Sequence, residues 1–308
     1  MTYDCIIVGG GIAGLQAAIQ LGRYMTHQIL VIDSGHGRST LCRNYHNILG
    51  WPEGVSGIEL RKRGKAQAAS TGVKFVQDKV IKAVRHGQLF KLTGEQGEHY
   101  EARTLLLATG LMDRFPDIPG ILPAMGRSVY VCPDCDGVEI HDRKTVVMGS
   151  GNPGANMALL LAERASELIY INHEQKAVDA ETLMEIKNRG IQYIEGGISR
   201  LLEEHDGMIQ SVILEDGTVI PAERGFIAFG GNQVHSKLAE ELGAKLYHNK
   251  HVEADARSRM TSVQNLWVAG DLGVHAEQVT VAMGDGAMAA ISINKVLMKL
   301  GKAQETPL

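Results

Sequence analysis

The stretch DCIIVGGGIAG, residues 4–14, decides the fold. A short β-rich run ends in Gly9-Gly10-Gly11-Ile12-Ala13-Gly14, a G-x-G-x-x-G, and Ile12, Leu15, Ile19 and Gly22 mark one face of the helix that should follow. QILVIDSG, residues 28–35, reads as a second buried strand; its Asp33 stands close to the spacing from Gly9 that a ribose-binding acid takes. Glycines keep such a turn tight and let its backbone approach a pyrophosphate resting on the helix N-terminus. The acid at the end of the second strand accepts hydrogen bonds from ribose hydroxyls. Alone the motif is weak; set between strand, helix and acid it specifies a dinucleotide-binding unit.

The pattern returns near the middle of the chain. KTVVMGSGNPGANMALLLA, residues 144–162, then ELIYINHE, residues 167–174, repeat strand, turn, helix and strand, with Gly149, Gly151 and Gly154 in the turn. Between the repeats, HYEARTLLLATG (residues 99–110) reads as a strand ending at Gly110. RFPDIPGILPAMG (residues 114–126) holds three of the eight prolines and reads as a crossing between domains. Beyond the second repeat come another strand-to-glycine segment, GTVIPAERGFIAFGG, then a strand, an Ala269-Gly270-Asp271 loop and a long helix rich in small residues. The fold class is therefore α/β: two Rossmann-like, three-layer ββα dinucleotide-binding domains, the second inserted into the first. The expected boundaries are residues 1–116 and 248–308 for the first domain and 117–247 for the second.

Composition narrows the function. The chain has 308 residues, enough for two cores, with 44% hydrophobic and 21% charged residues and a net charge of −4. Neither a basic patch nor a charged tail suggests nucleic acid as a partner. No apolar run approaches the roughly 18 residues of a membrane span, and the N-terminus lacks the positive flank of a signal peptide. These features point to the cytoplasm. The four cysteines, Cys5, Cys42, Cys132 and Cys135, are too few and too unevenly spaced for a disulfide framework.

Two of them stand in VCPDCDG, residues 131–137. A zinc site would need two further ligands, and no second pair exists to supply them, so no metal is expected. A purely structural disulfide suits a reducing compartment poorly, and inert packing suits cysteines flanked by Pro133, Asp134 and Asp136 no better. A redox pair fits: a two-residue spacer lets both sulfurs meet in a disulfide that a thiolate opens through a mixed disulfide. A helix starting at Cys135 would bring backbone N–H groups toward the thiolate and lower its pKa. Asp136 reads either as an acid serving the pair or as a turn or helix-capping residue. Cys5 lies in a buried strand and reads as inert. Cys42 reads as a bystander, and His275 as a surface-loop histidine.

IIVGGGIAGLQAA, LLLATG, CPDCDG, VVMGSGNPG and NLWVAGD occur in the order and spacing of the low-molecular-weight thioredoxin reductases, which the chain resembles from about Tyr3 to Lys299. The resemblance implies an FAD-dependent dithiol/disulfide oxidoreductase and a homodimer. Gly9, Gly11, Gly14 and Gly110 would serve the FAD site, Asp33 its adenosine ribose and Asp271 its ribityl or phosphate region. Glu277, Gln278 and Val279 would face the flavin ring. Cys135 would face the flavin, Cys132 would attack the external disulfide, and Asp136 would relay a proton to the departing thiol. The partner would be a thioredoxin-like protein or a small dithiol or disulfide.

The second glycine turn departs from the family. NADPH-dependent members carry arginines after the following strand, which clamp the 2′-phosphate. Here that place reads INHEQKAVD, residues 171–179, so NADPH is disfavoured. Glu174 has about the spacing from Gly149 of a ribose acid for NADH, yet Pro153 removes a backbone N–H from the turn. Gly149, Gly151 and Gly154 could therefore hold NADH, a second FAD or nothing. Ferredoxin as donor, oxygen as acceptor in a small-molecule dithiol oxidase, and a flavin-bearing redox sensor without turnover remain alternatives.

Overall fold

Along the strand Thr2–Val8 the side chains alternate between two cores, as the two-residue strand period requires. Cys5 and Ile7 join Val31, Leu106 and Trp267 beneath the helices Ile12–Gly22 and Val279–Glu305. Ile6 and Val8 face the other way, with Leu30, Ile32, Leu105 and Leu107. There they meet Val80, Ala83, Phe90 and Leu92 from the antiparallel strands Val80–His86 and Leu89–Gly94. The computed structural model, which describes residues 1–305, thus shows the three-layer ββα build in its first unit.

Four parallel strands stand in the order Lys74–Gln77, Ile29–Asp33, Thr2–Val8 and His99–Leu107, and Leu266–Val268 also pairs with the last in parallel. The second unit repeats the plan. Its parallel sheet runs Gln192–Glu195, Glu167–Asn172, Lys144–Gly149, Arg224–Ala228, Val129–Tyr130. Val147, Tyr170 and Phe226 face the helix Gly151–Leu161, and Val146, Met148, Ile169 and Ile171 face a three-stranded antiparallel sheet.

The first unit comprises Met1–Thr40, Gly57–Met112 and the chain from Val234 onward; the second comprises Leu41–Ser56 and Asp113–Gln233. The second unit is thus drawn from two stretches, where the sequence suggested one. Leu41 packs against the second unit's core, and Tyr45 bridges Val55. Conversely Leu238, Ala239 and Ala244, within the stretch assigned to the second domain, are buried in the core of the first.

The face of the first helix also differs from its apolar pattern. Ala13, Leu15, Ala17, Ala18 and Leu21 are buried, while Ile12 and Ile19 are only partly so. The reason is close packing against the last helix: a side chain on Gly286 would collide with the Ala13 carbonyl. Within that last helix, Val279–Gly301 is long and apolar enough to cross a bilayer by length and composition, where no such run was expected from the sequence. Its Ala289, Ala290, Ile293 and Leu297 are instead buried in the core.

Candidate active site

The cysteine pair follows the edge strand Val129–Tyr130 of the second unit. Cys132 is the N-cap of a single helical turn, Pro133–Asp136. Proline suits the first helical position, where its missing N–H has no intrahelical partner anyway. The turn therefore begins ahead of Cys135, the start expected from the sequence. As a result the Cys135 N–H donates to Cys132 Sγ at 3.2 Å, so the backbone serves the first sulfur rather than the second. The two cysteines form a disulfide, with Cα atoms 5.3 Å apart.

Asp136 heads the next turn, Gly137–Ile140, but its side chain makes no capping hydrogen bond. Burial, and then the negative charge of Glu139, pushes its carboxyl up to about 7. An acid adjoining the pair therefore holds or releases its proton near neutrality. Arg164, which nothing in the sequence singles out, donates to the Pro133 carbonyl at 2.8 Å and pins the turn. A side chain on Gly137 would meet that guanidinium, so the arginine would have to shift.

In the first unit, the first glycine turn lies where the strand Thr2–Val8 ends. Gly9 has φ +109, and a Cβ there would strike the Ala108 carbonyl; one on Gly14 would strike the Gly9 carbonyl. A Cβ on Gly11 would meet no atom within 4 Å, so the backbone there is open to approach. Asp33 Oδ1 accepts from the Gly10 N–H at 3.1 Å and Oδ2 from Arg61 at 2.7 Å. Gly110 follows His99–Leu107, with its carbonyl accepting from His235 N–H at 3.0 Å. Asp271 follows Leu266–Val268 and accepts from Arg38 at 3.1 Å; Arg38 also reaches Glu277 at 3.0 Å. Gln278 and Val279 open the last helix. Gly9, Asp33, Gly110 and Asp271 thus all lie at the carboxyl ends of parallel strands, where open α/β sheets bind ligands.

His275 is half-buried in its loop and ion-paired. Its Nε2 lies 2.5 Å from Asp285, a carboxylate 3% exposed that also pairs with Arg259 at 3.0 Å and accepts from the Gly270 N–H. Asp285 raises the His275 pKa, against the opposing effect of burial. Periodicity could not reveal this cluster, because its members lie on separate segments.

The family described as pyridine nucleotide-disulphide oxidoreductase matches residues 3–286. The chain belongs to this family. The thioredoxin reductase of Rickettsia bellii is 28% identical, with 97% of this chain and 99% of that protein covered. That of Bacillus subtilis is 27% identical, with 99% and 98% covered. The crystal structure of HlmI superposes with a TM-score of 0.87 at 26% identity, covering 98% of this chain and 95% of that one. The chain is a thioredoxin reductase-like flavoprotein disulfide oxidoreductase.

The residues of the first unit fit the FAD expected of this family. Gly11 leaves room for a pyrophosphate, and Asp33 keeps acceptor capacity, since a carboxylate offers about four lone-pair sites and the structure uses two. Cys5 is fully buried with its thiol pushed up to about 12 by burial, which suits an inert residue. Among the described residues, no group of three or more His, Cys, Asp or Glu could hold a metal ion. Gly149, Gly151 and Gly154 form the second turn, but Glu174 is engaged by Arg114 in a bidentate pair of 2.7 and 2.9 Å.

Proposed function

We propose that the protein is an FAD-dependent dithiol/disulfide oxidoreductase that exchanges electrons through Cys132 and Cys135 with a thioredoxin-like protein or a small dithiol or disulfide. The observation that carries this reading is the Cys132–Cys135 disulfide with an acid titrating near neutrality at Asp136. Bound FAD supplies a two-electron carrier for the pair. Gly9, Gly11, Gly14 and Gly110 would lie along it, Asp33 would hold its ribose, Asp271 its ribityl or phosphate region, and Gln278 and Val279 would border its ring.

The chain's own chemistry starts from the reduced pair. The Cys132 thiolate, favoured by the Cys135 N–H, attacks one sulfur of the substrate disulfide. A mixed disulfide forms and one substrate thiolate leaves, taking a proton from the Asp136 carboxyl. The Cys135 thiolate then attacks Cys132 Sγ, which releases the second substrate thiolate and restores the Cys132–Cys135 bond. Two electrons have passed from the pair to the substrate. Dithiol oxidation is the same sequence run backward, with Asp136 accepting the proton.

A cytoplasmic setting and a homodimer belong to the same reading. Met288, Ile291 and Met298, at helical spacing, are exposed on the last helix, an apolar stripe suited to a second copy. The deciding experiment is the visible spectrum of protein refolded with FAD, together with disulfide turnover by Cys132→Ser. A flavin band retained while turnover is lost supports the reading; no flavin band, or full turnover without Cys132, refutes it.

A further inference from the structure

The family to which the chain belongs is defined by pyridine nucleotides, yet the second glycine turn does not fit one. We infer that the crevice of the second unit is closed by the chain's own residues and that this unit binds no nicotinamide dinucleotide. The inference rests on the dithiol/disulfide reading above and removes one electron source from it.

Strand register locates the problem. In the first unit the pair Val8–Ile32 is followed by Asp33, the ribose acid. In the second, Met148–Ile171 is followed by Gly149–Asn172, so Asn172 and not Glu174 stands at the corresponding place. Asn172 is fully buried and turned inward. Its Oδ1 accepts from the Gly151 N–H at 3.0 Å, and its Nδ2 donates to the Lys176 carbonyl at 2.8 Å and to Tyr193 at 2.9 Å. The amide thus takes an N–H of the glycine turn and draws the following segment over it.

That segment covers the turn. A Cβ on Gly151 would lie 3.1 Å from the Ala177 carbonyl and 3.2 Å from Lys176 Cβ, whereas one on Gly11 would meet nothing within 4 Å. At Gly151, with φ +53, the segment 176–177 packs against the turn, whereas Gly11, with φ −76, has no such neighbour. Asn152 fastens the far end: its Nδ2 donates to Asp179 at 2.7 Å, and its Oδ1 accepts from the Asp179 N–H at 3.0 Å. Pro153 offers no N–H, so the first turn of the helix has lost two donors that an anion would use.

The ribose side is closed as well. Arg114 donates to both oxygens of Glu174 and to the carbonyls of Phe229 and Gly230 at 2.8 and 2.9 Å, and Lys176 adds a third cation-carboxylate contact at 2.8 Å. Arg114 and Lys176 hold the Glu174 carboxyl well below its ordinary range. An arginine does reach this place, from far upstream in the chain, but its fork is matched to Glu174 rather than free for a phosphate. The surviving glycines have packing reasons of their own: a Cβ on Gly154 would strike Tyr170, and one on Gly149 would lie 2.6 Å from the Ala228 carbonyl. The motif persists without a ligand to explain it.

The test is direct binding to the FAD-loaded protein by ultrafiltration with NADH and NADPH, alongside hydrogen exchange of the Gly151 amide. The expected result is no saturable binding of either nucleotide up to about 1 mM, a ceiling corresponding to only about −4 kcal/mol. The Gly151 amide should be protected in the absence of any ligand. A dissociation constant in the micromolar range for either nucleotide, or a Gly151 amide exchanging as freely as an open loop, overturns the inference. Anaerobic dithiothreitol keeps the two readings apart. Bleaching of the flavin by this dithiol tests the Cys132–Cys135 chemistry whatever the nucleotides do, and its absence would count against the proposed function alone.

Discussion

Replacing Asp136 with Asn separates a working acid from a turn residue. The side chain keeps its shape and loses its proton. In the wild type, burial raises the carboxyl from 3.8 to about 7, so the folded chain binds this proton more tightly than the unfolded chain. Between about pH 4 and 7 the folded state therefore carries more protons, and stability falls as pH rises through that window and levels off above it. At about 1.36 kcal/mol per unit, a rise of about three units gives an upper value of about 4 kcal/mol. The amide of Asp136→Asn cannot ionise, so the variant should gain stability relative to wild type between pH 5 and pH 8. Urea unfolding of both proteins at the two pH values, with FAD in equal excess, measures this double difference. Disulfide reduction should fall about 10²–10⁴-fold in Asp136→Asn, the usual yield of general acid catalysis, and the decline of the wild-type rate above pH 7 should disappear. Parallel stability–pH curves for the two proteins would sink the electrostatic account, and an unchanged rate would sink the catalytic one.

Three further outcomes follow from the first unit and the pair. Cys135→Ser, which keeps the N–H that serves Cys132, should trap a mixed disulfide with a substrate on Cys132, seen by mass spectrometry; no adduct would reverse the order of the two sulfurs. Gly11→Ala introduces a Cβ that meets no protein atom within 4 Å at φ −76, so the apoprotein should be unchanged or about 0.4–1 kcal/mol more stable. The same variant should release FAD more readily in a dilution assay, and unaltered retention would place the pyrophosphate elsewhere. Asp285→Ala leaves the nearly buried Arg259 without its counter-charge and should cost about 3–5 kcal/mol by chemical denaturation. Asp285 raises the His275 pKa, so that ion pair adds stability below pH 6.5 that is lost as pH climbs through the folded value. The Asp285→Ala deficit should therefore shrink at high pH; a deficit independent of pH would remove His275 from the cluster.

Much of this protein is legible in local sequence. Both glycine turns lie between the strands and helices that their periodicity marks, because backbone conformation and side-chain alternation depend on neighbouring residues. The disulfide needs only a two-residue spacer to be anticipated. The helix around it starts earlier than the sequence suggests, because Pro133 acts through the first-turn position and not through apolar pattern. The buried face of Ile12–Gly22 departs from its apolar pattern because the last helix, from the opposite end of the chain, selects small residues over large ones. His275 reads as exposed for the same reason: its partners Arg259 and Asp285 are gathered only by the fold.

The sequence by itself determined two dinucleotide folds, a cysteine pair that can form a disulfide, and the absence of arginines after the second repeat. Those features are local, fixed by residue type and short spacing. What packs against the second glycine turn was decided by tertiary structure alone. Glu174 carried the spacing of a ribose acid, but register assigned the place to Asn172, and Arg114 was brought across the sheet end to hold Glu174 aside. A spacing counts residues along the chain, whereas a binding site depends on which atoms remain open once distant segments have packed.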